Sequence, residues 1–223
     1  MSESDGRKVI VFRKDLWYAM QVEVSCMDQR LKNAESIVFD IGNVLLRFDE
    51  RIVTTLLPEP IRGKLTEAMF GPLHLWGQFD LGAESNEAIA ARIAKEAGLP
   101  GEADAVLHVL HHFHEVLEPM PMVDLLDDLL AMGKRLYALT NYPEPSFSLT
   151  CRRFPFLTEK IRGAVVSSRE KIAKPDPEIF RILRDRFALD PAKTLFIDDT
   201  LANAEAAKKA GFMSWHYAGE DRL

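Results

Sequence analysis

Polar side chains that could do chemistry follow three short apolar runs of this 223-residue chain, at the point where each run ends. In chain order they are Asp40, then Thr140 and Asn141, then Asp198 and Asp199. Short apolar runs ended by turn residues are typical of buried strands, most often parallel ones. Because ligands bind beyond the carboxyl ends of parallel strands, we expect these side chains to share one sheet edge. Taken alone, Asp40 could equally be a loop aspartate that caps the next element. The polar residues at the two later strand ends favour a functional site instead.

The three carboxylates of this edge, those of Asp40, Asp198 and Asp199, would repel one another unless a cation neutralised them. Oxygen ligands with no histidine or cysteine nearby in sequence favour Mg²⁺, which keeps several waters and pairs with substrate phosphate. The sequence therefore predicts a magnesium site that faces a phosphorylated small molecule.

A lysine adds a positive charge to this set. The segment Lys174-Pro175-Asp176-Pro177 precedes a predicted helix, and a proline suits the first helical turn. Taken alone, Lys174 is more typical of a solvated loop lysine. Together with the strand ends it gives a carboxylate nucleophile, hydroxyl and amide donors, a lysine and an acidic metal pocket. Such a combination suits phosphoryl transfer through an aspartyl-phosphate.

Strand and helix patterns alternate in the second half of the chain, which indicates a parallel sheet covered by helices on both faces. After the strand that ends at Asp40, strands are predicted at 135–139, 163–166, 194–197 and 212–217. The helices between and around them are predicted at 121–132, 144–153, 177–187 and 201–210. The fold class is therefore α/β, with a doubly wound parallel sheet.

Residues 51–118 differ from this alternation, because they show helical spacing and no strand pattern. Helices are predicted at 51–57, 61–70, 86–97 and 102–117, with prolines and glycines between them. We interpret this segment as a helical insertion that follows directly on the strand ending at Asp40. Trp76 is interpreted as packing between its helices, with a place in the substrate pocket as the alternative.

The remaining sequence bounds location and partners. Residues 1–35 include a possible strand at 9–12 and a loosely helical stretch at 15–31, and their role is left open between a flexible arm, an oligomer contact and an over-long start. A net charge of −6 gives no general attraction to nucleic acid or anionic membranes. The two cysteines show no ligand spacing, and no apolar run approaches the roughly 20 residues of a membrane span. We expect a soluble cytoplasmic protein, monomer or homodimer, with no nucleic-acid or membrane partner.

Four motifs in this order resemble those of the haloacid dehalogenase-like hydrolase superfamily over residues 36–217. The motifs are Phe39-Asp40-Ile41-Gly42-Asn43-Val44, Leu139-Thr140-Asn141, Lys174-Pro175-Asp176-Pro177 and Phe196-Ile197-Asp198-Asp199. The resemblance implies a Rossmann-like core at 36–50 and 119–223, a small helical cap at 51–118 and an N-terminal extension at 1–35.

The resemblance also implies a role for each matching residue. Asp40 would be the nucleophile, Thr140 and Asn141 would bind the phosphoryl oxygens, and Lys174 would steady the charge. Gly42 and Asn43 would contact substrate beside Asn141. Mg²⁺ would be held by the residues Asp40, Gly42 through its backbone carbonyl, Asp198 and Asp199.

Gly42 departs from the pattern of the family's phosphatases, which usually carry a second aspartate there as general acid and base. That role is typically worth about 10²–10⁴-fold in rate. The sequence Asp-x-Gly-Asn-Val is similar to the family's sugar-phosphate phosphatase branch, typified by α-D-glucose-1-phosphate phosphatase, and this implies that glycine is compatible with turnover. We therefore expect a Mg²⁺-dependent phosphatase, with a sugar phosphate favoured. The alternatives are a 2-haloacid dehalogenase that needs no metal and a non-catalytic protein that binds phosphate ligands.

Overall fold

The computed structural model of the protein describes residues 29–217. The strand predicted at 9–12 and most of the helical stretch predicted at 15–31 lie outside these residues. The described part begins with a short helix, Gln29–Asn33, which leads into the first strand.

The sheet has the predicted parallel α/β architecture. The strands of the described residues are β1 (Ser36–Phe39), β2 (Leu46–Arg47), β3 (Glu118–Pro119), β4 (Arg135–Thr140), β5 (Ala164–Val166), β6 (Thr194–Asp198) and β7 (Met213–His216). Five of them form one parallel sheet in the order β5-β4-β1-β6-β7. The crossovers put β1 in the centre, between the strands whose ends carry Thr140 and Asp198.

The central strand β1 is buried over its whole length, as expected when helices cover both faces of a parallel sheet. Its side chains alternate between two hydrophobic clusters, because successive residues of a strand point to opposite faces. Ile37 and Phe39 belong to one cluster, and Val38 to the other, where Phe180 and Phe196 also pack. This burial fixes the register of β1, in which Phe39 pairs with Ala138 of β4 and Ile197 of β6.

Helices of the second half lie close to their predicted positions. The helix Pro177–Phe187 has the predicted bounds, and the Asp176 carboxylate caps it by accepting a hydrogen bond from the Glu178 N–H at 2.8 Å. The stretch predicted as one helix at 121–132 is a 3₁₀ helix, Pro121–Leu125, followed by an α-helix, Leu126–Ala131. Ser146–Arg153 and Leu201–Lys209 also match predicted helices, whereas three short helices were not predicted: Phe156–Glu159, Ser167–Glu170 and the 3₁₀ helix Pro191–Lys193.

The helical insertion contains one helix that the sequence pattern did not indicate. Its α-helices are Glu50–Val53, Glu59–Phe70, Leu75–Leu81, Asn86–Glu96 and Ala103–His112, with 3₁₀ helices at Thr54–Leu56, Pro100–Glu102 and Phe113–Val116. Leu75–Leu81 was missed because seven residues with a glycine inside give too few turns for a periodic signal.

A small antiparallel ribbon of β2 and β3 closes the insertion at its base, where Leu46 pairs with Pro119 and Arg47 with Glu118. The prediction that 51–118 contains no strand holds only up to this ribbon, since Glu118 belongs to β3. Two residues a strand are too few for the alternation that identifies a strand in sequence. The ribbon brings the two ends of the insertion together beside β1.

Gly82 ends the helix Leu75–Leu81 in the left-handed region, with φ of 63°. A Cβ there would lie 2.8 Å from Ser168 Cβ and 3.2 Å from Ser168 Cα. We expect Gly82→Ala to lower the free energy of unfolding by about 1–3 kcal/mol, because it adds backbone strain and a steric clash. Gly77→Ala is the matched control in the same helix, where a Cβ has no neighbour within 4 Å and alanine stabilises by about 0.5–1 kcal/mol. Urea unfolding measures both, and equal stabilities would contradict the close approach at Gly82.

Candidate active site

Asp40 occupies the first position after β1, and its carboxylate is held in one orientation. The backbone N–H of Asp40 donates to the Ile197 carbonyl of β6 at 2.9 Å. Its Oδ1 accepts a hydrogen bond from the Ile41 N–H at 2.7 Å and lies 2.9 Å from Lys174 Nζ. Only 8% of the residue is exposed, so this carboxylate is a buried group at the sheet edge.

Lys174 is buried rather than solvated, with 4% of its surface exposed. Its Nζ lies 2.9 Å from Asp40 Oδ1 and 2.7 Å from Asp198 Oδ2, so one ammonium group joins the ends of β1 and β6. Burial alone would lower the pKa of Lys174, but the charges of Asp40 and Asp198 outweigh burial and raise that pKa above its usual value. The lysine is therefore a fixed positive charge.

Asn141 places the loop that carries this lysine. Its side-chain Oδ1 accepts from the Lys174 N–H at 2.8 Å, and its Nδ2 donates to the Lys174 carbonyl at 3.0 Å. The asparagine after β4 therefore orients the backbone of Lys174 from both sides. Thr140, the last residue of β4, is itself buried.

Asp198 has no exposed surface and accepts several protein hydrogen bonds. Its Oδ1 accepts from the Thr200 N–H at 2.8 Å, and Asn203 Nδ2 lies 3.0 Å from Oδ1 and 3.2 Å from Oδ2. With Lys174 on Oδ2, both oxygens of Asp198 are engaged. This carboxylate is held from three sides, and it in turn holds the lysine.

Asp199 is more accessible than Asp198. Its Oδ2 accepts from Asn43 Nδ2 at 3.2 Å, while Asn43 Oδ1 accepts from the Phe48 N–H at 2.9 Å. Asn43 adopts φ of 53°, a left-handed conformation that asparagine tolerates better than most residues. Burial raises the pKa of Asp199, and the negative charge of Asp198 raises it further.

The carboxylates of Asp40, Asp198 and Asp199 offer ligand atoms that all lie within 4.8 Å of one another. Burial raises the pKa of Asp40 to about 7, against the lowering effect of Lys174, and Asp198 adds to the rise. Three acidic groups face one lysine, so negative charge is in excess. Buried carboxylate oxygens in this arrangement fit a hard cation such as Mg²⁺.

These residues border a cavity of about 220 Å³ with two unlike sides. One side, the polar floor, comes from the loops after β1, β4 and β6. The other, the aromatic wall, comes largely from the helical insertion and the loops beside it. The floor consists of Asp40, Gly42, Asn43, Asn141, Asp199 and Thr200, and the wall of Phe48, Trp76, Phe113 and Tyr142, with Asp80 and Pro143 beside them.

The structure thus gathers Asp40, Lys174, Asp198 and Asp199 at one sheet edge and places Gly42, Asn43 and Asn141 in the cavity lining. Thr140, Lys174 and Asp198 are buried and do not line the cavity.

Asp80 is a carboxylate in the cavity that sequence reasoning did not identify. Burial raises its pKa well above the usual value, the charge of Asp40 adds to the rise, and Lys174 opposes it. The one sequence signal for Asp80 is that an acidic residue lies directly between the apolar residues Phe79 and Leu81, in a stretch interpreted as packing.

The position of Asp80 is fixed by contacts from the sheet. Ser167 Oγ, which accepts from the Tyr142 N–H at 2.9 Å, donates to the Asp80 carbonyl. Lys171 Nζ donates to the Gly82 carbonyl at the end of the same helix. Both bonds tie the helix Leu75–Leu81 to the segment after β5.

Gly42 lines the same cavity, and a Cβ built on it would meet no atom within 4 Å. Its φ lies outside the left-handed region that favours glycine. Neither packing nor backbone conformation therefore requires glycine here, and the missing side chain leaves open space beside Asp40.

A family model of haloacid dehalogenase-like hydrolases matches residues 34–211, which include every residue of this site. The chain belongs to this family. It is thus a hydrolase by family, and the family carries the α/β core described above.

One relative is similar in sequence, and two solved structures are similar in fold. The sesquiterpene phosphatase astK of Aspergillus oryzae is 27% identical over 183 residues, 82% of this chain and 89% of that protein. A Bacteroides thetaiotaomicron family enzyme, crystallised with magnesium and inorganic phosphate, is 23% identical with a TM-score of 0.69, over 84% of this chain and 96% of the other. L-2-haloacid dehalogenase from Xanthobacter autotrophicus is 18% identical with a TM-score of 0.61, over 80% and 75%.

Within residues 29–217, no helix has both the length and the apolar character that crossing a membrane would require.

We expect Lys174→Met to lower the free energy of unfolding by about 3–5 kcal/mol in the presence of EDTA, because it leaves two buried carboxylates without their cation. Lys160→Met is the matched control. Its Nζ pairs at 2.7 Å with Asp127, whose side chain is 73% exposed, and such surface pairs contribute about 0–1 kcal/mol. Urea unfolding of both variants measures the difference. A loss at Lys174 no larger than at Lys160 would disprove a structural role for the buried ion pairs.

Proposed function

We propose that the protein is a Mg²⁺-dependent phosphomonoesterase that forms an aspartyl-phosphate on Asp40. The observation that carries the proposal is the group of three carboxylates within 4.8 Å, built around a buried lysine at the sheet edge. A 2-haloacid dehalogenase has no need of such a cation site. The relative named as a sesquiterpene phosphatase and the magnesium and phosphate complex of the Bacteroides enzyme support the same reaction class.

The metal would be held by Asp40, Asp198 and Asp199 together with the backbone carbonyl of Gly42. Asp40, Gly42 and Asp199 line the cavity, whereas Asp198 does not and already accepts hydrogen bonds on both oxygens. We therefore assign Asp199 the larger part in binding the ion and Asp198 the larger part in holding Lys174. When bound, Mg²⁺ supplies charge neutralisation and polarises the phosphoryl group.

The reaction would proceed in two steps, with a role for each residue of the site. A carboxylate oxygen of Asp40 attacks phosphorus, the ester P–O bond breaks, and the alcohol oxygen leaves with the bonding electrons. Water then attacks the phosphorus of the aspartyl-phosphate, which releases inorganic phosphate and restores the carboxylate. Lys174 offsets negative charge beside Asp40, and Asn141, with Thr140 behind it, is assigned to the phosphoryl oxygens.

Asp80 is our candidate for the proton that the leaving oxygen needs. Gly42 offers no carboxyl group, and Asp80 lines the same cavity. Burial and the charge of Asp40 raise the pKa of Asp80 well above its usual value, which favours the protonated form that a general acid needs. The helical insertion would thus act as a cap that completes the site, as proposed for residues 51–118.

Hydrolysis of p-nitrophenyl phosphate tests the mechanism. Activity is expected to require Mg²⁺, to disappear in EDTA, and to fall to background in Asp40→Asn, because an amide is a poor nucleophile. Asp127→Asn, an exposed carboxylate far along the chain, is the control and should retain activity. Activity of Asp40→Asn above background would falsify the aspartyl-phosphate. Chloride release from 2-chloropropionate without Mg²⁺ would instead identify a dehalogenase, and thermal stabilisation by phosphate without any turnover would identify a binding protein.

Asp80→Asn separates proton donation from nucleophilic attack. p-Nitrophenolate can leave without a proton, whereas an alkoxide must be protonated as it leaves. We therefore expect the hydrolysis rate to fall about 10²-fold or more with cyclohexyl phosphate and only slightly with p-nitrophenyl phosphate. Gly42→Asp in the Asp80→Asn background should recover part of the lost rate, since position 42 has room for a side chain. Equal losses on both esters, with no recovery, would remove Asp80 from the proton-transfer step.

The preference for a sugar phosphate, the cytoplasmic location and the oligomeric state stay predictions from the sequence. A panel of phosphate esters assayed with Mg²⁺ tests the first of them.

A further inference from the structure

We propose that the cavity selects phosphate monoesters of a compact apolar group over those of a hydroxylated group such as a sugar. The inference rests on the proposed phosphatase activity and concerns the part of the substrate beyond the phosphate. It is the opposite of the sugar-phosphate preference that the sequence predicts, and the test below distinguishes the two. It follows from the contrast between the two sides of the cavity.

The aromatic wall is a continuous set of rings. The ring of Trp76 lies 5.3 Å from that of Phe48 and 5.2 Å from that of Phe113, and Phe113 lies 5.6 Å from Tyr142. Offset and edge-to-face contacts of this kind hold rings in fixed positions. The wall is therefore a preformed apolar surface in the same cavity as Asp40.

Three polar side chains of the cavity lining are already hydrogen-bonded to protein partners. The Tyr142 hydroxyl is hydrogen-bonded to Thr150 Oγ1 at 2.8 Å, so its polar end is already engaged. Asn43 uses its amide oxygen on Phe48 and its amide nitrogen on Asp199, and Asn141 uses both on the Lys174 backbone. Each amide keeps a single N–H hydrogen for a ligand.

The lining offers little else to a group rich in hydroxyls. Among the described residues that line the cavity, none is lysine, arginine or histidine, and Asp80 is the one ionisable acid on the wall side. Sugar hydroxyls buried against rings would lose their hydrogen bonds to water without replacement, which is costly. An apolar group gains from the same burial.

The size of the cavity limits the apolar group. At about 220 Å³ it lies below the roughly 300–1,000 Å³ that is usual for drug-sized ligands, and the phosphate takes part of that volume. A small ring or a short branched hydrocarbon fits this description.

Cyclohexyl phosphate and glucose 1-phosphate form the matched pair for the test, because both carry a six-membered ring and only one carries hydroxyls. With Mg²⁺, we expect kcat/KM for cyclohexyl phosphate to be at least about tenfold higher, although its alcohol is the poorer leaving group. A ratio of one or below would overturn the inference while leaving the phosphatase proposal intact. If the protein hydrolyses neither ester nor p-nitrophenyl phosphate, the phosphatase proposal fails and the binding measurement below decides the inference.

Binding to the Asp40→Asn variant provides a readout without turnover. Calorimetry with Mg²⁺ is expected to give a dissociation constant for cyclohexyl phosphate about tenfold lower than for glucose 1-phosphate. Equal constants would show that the wall does not distinguish the two rings.

Substitution of Trp76 tests whether the aromatic wall is the source of the preference. Trp76→Phe retains an apolar ring and should keep most of the ratio, whereas Trp76→Gln should bring the ratio close to one. Leu73→Gln is the control, since Leu73 belongs to the same insertion, is 52% exposed and does not line the cavity. A ratio that survives Trp76→Gln would assign the selectivity to another part of the protein.

Discussion

The buried ion pairs of Lys174 with Asp40 and Asp198 hold the remainder of the site in place. Three chain segments distant in sequence meet at one ammonium group. Burial of each charged side chain costs desolvation free energy, which is offset by the opposite charges beside it. Because the pairs are buried, the lysine cannot move to solvent without leaving two carboxylates unpaired. The surrounding hydrogen bonds from Asn141 and Asn203 serve mainly to keep this arrangement rigid.

The sheet and its acidic edge could be predicted because each depends on local patterns. Buried parallel strands have apolar runs, their polar ends recur in order, and Pro177 marks a helix start. Asp80 could not be predicted in the same way, and for Trp76 the sequence left packing and a place in the pocket as alternatives. Their positions depend on how the insertion packs against the segment after β5, where Ser167 and Lys171 donate to backbone carbonyls, a contact that residue type does not indicate.

The two sides of the cavity are built by different physical means. The polar floor depends on charge at Asp40 and Asp199, so few other side chains could replace these two. The aromatic wall depends on shape and apolar area, which many side chains can supply. Most of the acidic groups therefore lie at the sheet edge and the rings on the insertion and the loops beside it, with Asp80 as the acid that the insertion contributes.

The ribbon of β2 and β3 has a consequence for how such a chain can diversify. It joins the exit and return points of the insertion, and the Met120 N–H also donates to the Leu45 carbonyl at 2.9 Å. Closing a loop of about seventy residues costs little more entropy than closing one of half that length. The insertion can therefore become longer or shorter, or be replaced, while the registers of β1, β4 and β6 stay the same. Changes in the insertion could then alter which ligand the cavity accepts without disturbing the sheet edge that carries Asp40.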